Sequence, residues 1–181
     1  MFTEDELQKA QKHFAIIGPQ VSQADIDSIF PGSFPGKQDL VQFYLWNNGG
    51  SRTRQGCLIH CGNRAHHVLR SALETTQVEG FMSVTRDPQD RLLPFYPILK
   101  HHAHMLEMFS EIAEMKEFYE ENVPFAFAHS GEDICINLKS GSVQYMDWAN
   151  YREGAVEISP SFQDFVLNFW VHAEPAHSDE S

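Results

Sequence analysis

The sequence predicts an α+β fold, a largely antiparallel sheet packed with several helices in a single compact domain. Three observations lead there. Apolar residues recur at helical spacing toward both ends of the chain, they alternate with period two between Phe125 and Tyr145, and Ser-Gly pairs interrupt that alternation where hairpins would turn. Strands clustered between helical ends, with no repeat and no linker, form layers of one unit, so residues 1–174 are expected to be one domain. The polar run 175–181 is expected to be a disordered tail. At 181 residues, with 42% hydrophobic and 12% aromatic content, the chain has enough apolar surface for a core without disulfides or metal.

The elements follow in order. Leu7, Ala10 and Phe14 recur at helical spacing behind Glu4, Asp5 and Glu6, whose charges favour a helix N-terminus, and Gly18-Pro19 ends that helix. Ser22 with Asp25 three residues on has the reciprocal capping pattern, opening a second helix toward Ile29 that Pro31-Gly32 stops. From Lys37, Leu40, Val41, Phe43, Tyr44, Leu45 and Trp46 cover more than half a helical circumference, predicting a substantially buried third helix. Asn47, Asn48, Gly49 and Gly50 should end it, since both residue types accept the left-handed backbone of a helix cap.

Gly56 to His60 is expected to begin a strand, and His66 to Glu74 to be a helix. Val78 to Leu99, punctuated by Pro88, Pro94 and Pro97, reads as short strands and turns. Leu106, Phe109, Ile112, Met115 and Tyr119 then line one face of a long helix that ends before Pro124. Phe125 and Phe127, then Ile134, Ile136 and Leu138, then Val143 and Tyr145 mark three antiparallel strands, with Gly131 and Gly141 in the turns. Ser159-Pro160 offers a cap to a last helix, whose Phe162, Phe165, Val166 and Phe169 form an apolar stripe against the sheet.

Charge narrows the function classes. Thirteen Lys and Arg against 25 Asp and Glu leave −12, a balance that repels phosphate backbones, disfavours nucleic acid, and suits solubility or a basic partner equally. The opening Met1 to Glu6 has no basic leader, and apolar runs such as Phe43 to Trp46 are too short to span a bilayer, so a cytoplasmic protein with no membrane partner is expected. Cys57, Cys61 and Cys135, an odd number without framework spacing, suit a reducing compartment.

No constellation demands chemistry. Cys57, His60, Cys61, His66 and His67, with His101, His102 and His104, are acceptable zinc ligand types, yet no second pair stands at finger spacing, so neither metal nor cofactor is expected. Nucleophile-elbow, phosphate-loop and metalloprotease motifs are absent. His129, Glu132 and Asp133 flank a hairpin tip, where solvated turn charges are the simpler reading than an acid-base cluster. Glu111 and Glu114 read as the wet face of a helix, which is also what a basic partner would meet. Trp148, after Asp147 where the chain becomes irregular, fits either an interface anchor or packing over a sheet edge.

Phe34-Pro35 followed by Tyr44-Leu45-Trp46-Asn47-Asn48-Gly49-Gly50 resembles the opening helix and turn of the SUKH superfamily. Pro124 to Ala128, then Gly131 to Leu138, Gly141, Val143 and Tyr145 resemble its hairpins, and Ile158 to Phe165, with Ser161 and Phe162, its closing helix. The pattern departs at Phe34, at Ser130-Gly131-Glu132 in place of a double glycine, and through 51–123. Asn48, Gly49, Gly50, Gly131, Asp133, Gly141, Ser161 and Phe162 read as turns, caps and core of that scaffold.

The resemblance implies a non-enzymatic, protein-binding role. It implies an immunity protein that occludes a cognate toxin, often a nuclease and therefore basic; by their own charge and placement, Glu111, Glu114, Glu132, Asp133, Asp147 and Trp148 are the expected contact residues. A regulatory adaptor of the cell-wall-assembly type, binding a protein that is no toxin, fits the same residues. A deep pocket of converging ionisable groups within 124–169 would contradict the non-catalytic expectation.

Overall fold

A computed structural model describes residues 1–11, 20–51, 57–60, 75–84, 97–128 and 131–168. Three helices come first, α1 (Glu4–Gln11), α2 (Gln23–Ile29) and α3 (Lys37–Trp46). The reciprocal cap of α2 is present: Asp25 N–H donates to the Ser22 hydroxyl at 3.3 Å, and Ser22 N–H donates to the Asp25 carboxylate at 2.9 Å. Helix α3 is buried through Leu40, Val41, Phe43 and Tyr44, as its apolar circumference predicts.

The described strands form one antiparallel sheet. Strands β1 (Gly50–Ser51) and β2 (Cys57–His60) lie one after the other along the same edge of β3 (Thr75–Phe81). Beyond β3 the order runs β4 (Asn122–Ala128), β5 (Asp133–Asn137), β6 (Val143–Met146) and β7 (Val156–Ser159). Between β3 and β4 the chain leaves the sheet to build α4 (Ile98–Met108) and α5 (Ala113–Glu121). A 3₁₀ segment, Trp148–Glu153, precedes β7, and α6 (Phe162–Leu167) follows it.

Alternation in the strands divides the interior into two cores. Ile134 pairs with Tyr145 and Ile136 with Val143, and these face the packed rings of Phe43, Phe125, Phe162 and Phe165. Phe125 meets Phe162 edge-on at 5.3 Å and Phe165 at 5.5 Å. The opposite face presents Cys135 and Met146 to Met105, Phe109, Met115 and Tyr119 of the α4–α5 layer. The sheet is therefore the middle of three layers.

The expected long helix is two helices. Phe109 and Tyr119 are ten places apart, about 15 Å along a straight helix, yet their rings stack with centroids 6.0 Å apart. The chain must reverse between them, and it does so where Ile112 adopts an extended φ of −111° and ψ of 100°. Folding back lays both apolar stripes on the same sheet face. Pro124 stands inside β4, at the register irregularity between Pro124 and Ala126, where a missing N–H costs least.

Two smaller expectations are corrected. Helix α3 stops with Asn47 extended (φ −142°, ψ 95°), and the left-handed backbone comes later, at Gly49 with φ 78°. Ser159 belongs to β7, a strand the periodicity does not announce, and Ser161 caps α6 by accepting from Asp164 N–H at 3.0 Å. Residues 83 and 97 form an isolated bridge, so the proline-rich stretch between them is entered and left in a parallel pairing. The expected helix at 66–74 and tail at 175–181, with Phe14, Cys61, His129 and Trp170, lie outside the described residues.

Candidate functional site

Strand β5 begins with an acid on a buried row. Asp133 pairs with Phe127 on one side and Met146 on the other, and period-two alternation turns its side chain, like that of Cys135, toward the α4–α5 layer. It is fully buried. An ionised carboxylate only accepts, so the donors can be assigned: His101 Nε2–H gives to Oδ1 at 2.8 Å and the Tyr119 hydroxyl to Oδ2 at 2.7 Å. Asp133 is therefore a buried tie between β5, α4 and α5, and the expectation of a solvated turn charge is corrected.

His102 extends the network. Its Nε2–H donates to the Tyr119 carbonyl at 2.6 Å, a contact that opposes but does not outweigh burial, which holds this imidazole below the ordinary histidine value. Burial first, and the neighbouring Asp133 carboxylate with it, raises the Tyr119 hydroxyl far above its ordinary range. Burial and Asp133 likewise push the Cys135 thiol up. Both groups stay protonated at neutral pH.

Beside this network lies a partly open cleft of about 310 Å³. Met82, Phe127 and Trp148 give it apolar walls, and His101, His104 and Asp133 its polar side. Gly131 lines it too, and a side chain there would begin 3.9 Å from the Trp148 ring. The Trp148 ring stands 6.4 Å from that of His101. Ionisable groups thus converge here, although the hollow is a cleft at the surface and its carboxylate already holds two donors.

The expected contact residues are distributed unevenly. Asp133 and Trp148 line the cleft, with Gly131 between β4 and β5. Glu132 is half-buried beside them, and Asp147 caps the 3₁₀ segment, accepting from Ala149 N–H at 2.9 Å and the Asn150 amide at 2.6 Å. Glu111 and Glu114 are exposed at the turn and start of α5, away from the cleft's lining. Six glutamates and two lysines lie within 98–121, so the outer helical layer is strongly acidic.

The other motif positions serve the scaffold. Asn48 is buried and its carbonyl oxygen accepts from Val84 N–H at 2.7 Å, tying the end of α3 to the strand-exit segment. Gly50 opens β1, and Ser161 and Phe162 open α6. Sequence reasoning missed His101 and Tyr119 as carboxylate partners. The available signal was the alternation in β5, which sets Asp133 opposite Ile134 and Ile136 and so on the face the α4–α5 helices cover.

Among the described residues no three His, Cys, Asp or Glu side chains are grouped to hold a metal ion. Strand β2 contains Cys57 and His60, while Cys61, His66 and His67 lie outside the described residues. No helix among the described residues is long and apolar enough to cross a membrane. The family model that matches this chain, over residues 1–168, is that of the SMI1 / KNR4 family (SUKH-1). No curated protein matches it.

Proposed function

Since the chain belongs to the SMI1 / KNR4 family (SUKH-1), whose membership carries a protein-binding role, we propose that it is an immunity protein that binds and occludes a basic toxin domain. The observation that carries the choice of partner is the acidity of the α4–α5 layer, six glutamates against two lysines, within a chain of net charge −12. A toxin that cleaves nucleic acid must attract phosphates, and the same basic surface is drawn to this layer. Such a complex would bury on the order of 800 Å² per partner.

Binding rather than chemistry is also the reading that the His101–Asp133–Tyr119 network supports. General acid-base work needs a group with a value near the working pH and a free position for substrate. Here both carboxylate oxygens are engaged, and the Tyr119 hydroxyl and Cys135 thiol are held protonated. The network locks α4 and α5 to the sheet, which makes the acidic layer a rigid docking face.

The test is co-expression of this chain with toxin-like genes neighbouring its own. Rescue from killing, with recovery of a stable complex, is expected. Unaltered killing together with capture of an envelope or signalling protein would replace the toxin reading with that of a regulatory adaptor.

A further inference from the structure

We infer that the cleft beside Trp148 receives an arginine side chain of the basic partner, its guanidinium on the indole and its stem along Met82 and Phe127. This rests on the reading of a basic protein partner given above, and adds the residue type that anchors it.

Three observations select an arginine. The walls are apolar, which suits a three-carbon stem better than water, yet the far side holds the fully buried Asp133 carboxylate. A buried charge in a low-dielectric surround projects its field further than a solvated one, so the cleft favours a cation. None of the described residues that line it is a lysine or an arginine. Asp133 is closed off by His101 and Tyr119. It therefore acts through its field, and the direct contact is the Trp148 ring, the best aromatic face for a cation.

Arginine is favoured over lysine by the chemistry of that contact. A guanidinium is flat, weakly hydrated and stacks on an indole, whereas an ammonium gives up a tight hydration shell. Gly131 places no β-carbon against the outer edge of the ring, where one would stand 3.9 Å away. Arginine and tryptophan are also the residue types that most often dominate interfaces, in pockets of this kind.

Octa-arginine, octa-lysine and octa-citrulline peptides, titrated calorimetrically into the full chain and into Trp148→Ala and Trp148→Phe, test this. Octa-arginine should bind best and octa-citrulline at least tenfold more weakly. Trp148→Ala should lower octa-arginine affinity about tenfold and octa-lysine affinity less than threefold, with Trp148→Phe between wild type and alanine. The Trp148 indole N–H resonance should move on adding octa-arginine. Should the alanine variant fail to fold, that resonance and the phenylalanine variant decide.

Octa-arginine binding that is indifferent to both substitutions and leaves the indole resonance in place overturns the anchor and spares the basic partner. Equal binding of octa-citrulline overturns the requirement for a cation. If no cationic peptide binds at all, the basic-partner reading itself falls, and the anchor with it.

Discussion

Gly141 lies so close to Pro35 that a β-carbon built on it would sit 1.9 Å from the Pro35 carbonyl oxygen. Its backbone is also left-handed, with φ of 73°, in the turn between β5 and β6. The contact pins the loop before α3 to a hairpin a hundred residues later. Gly141→Ala must strain φ and displace backbone atoms at once, so a loss on the order of 3 kcal/mol or more is expected in urea denaturation. Gly32 is a control: it has a similar φ of 72° but open space around it, so its alanine variant bears the backbone strain alone.

Tyr119→Phe deletes one donor to Asp133 and leaves the ring stack with Phe109 in place. A buried acceptor that loses a partner costs about 1–3 kcal/mol, and denaturation midpoints of the two proteins should differ accordingly with unchanged slope. Asp133→Ala removes the charge itself and strands both donors. If Tyr119→Phe were as stable as wild type, the hydroxyl would not be holding the carboxylate.

His102 makes stability depend on pH. Its value is lowered in the folded protein, chiefly by burial, so the unfolded chain binds the proton first as pH falls. The contribution is fully present above the unfolded value of about 6.5 and is lost as pH drops toward the lower folded one. Unfolding free energy should therefore fall from pH 7 to pH 5 more steeply in wild type than in His102→Gln. Parallel curves for the two proteins would remove His102 from the acid response.

Glu111 and Glu114 are exposed, and surface substitutions of this kind usually stay within about 0.5 kcal/mol. The double charge reversal Glu111→Lys with Glu114→Lys should leave the thermal midpoint nearly unchanged. It should slow association with a basic partner and flatten the dependence of that rate on salt, as measured by stopped-flow mixing. An association rate and salt slope equal to wild type would move the docking face elsewhere.

Much of this molecule is legible in its amino acids, and the boundary of legibility is physical. The cap of α2 is local: Ser22 and Asp25 satisfy each other within one turn, so two residues three places apart suffice to announce it. The alternation of Ile134 and Ile136 against Val143 and Tyr145 is likewise a matter of neighbours, and it places β5 beside β6 in the correct register. The burial of α3 is written in its apolar circumference. Helix breaks are different, because Ile112 carries no glycine or proline signal and α4 turns back only when Phe109 and Tyr119 can both reach the same face of the sheet.

Composition, periodicity and capping chemistry determined, by themselves, that this chain folds as helices around an antiparallel sheet and that its surface is acidic. Those properties are sums over residues or relations within a few places of one another. Tertiary structure alone decided that Asp133 is buried, that His101 and Tyr119 hold it, and that Trp148 borders a cleft. Such facts join β5 to residues on α4, α5 and a 3₁₀ turn, and the cost of an unpaired buried charge, which selects those partners, arises only once the layers have closed.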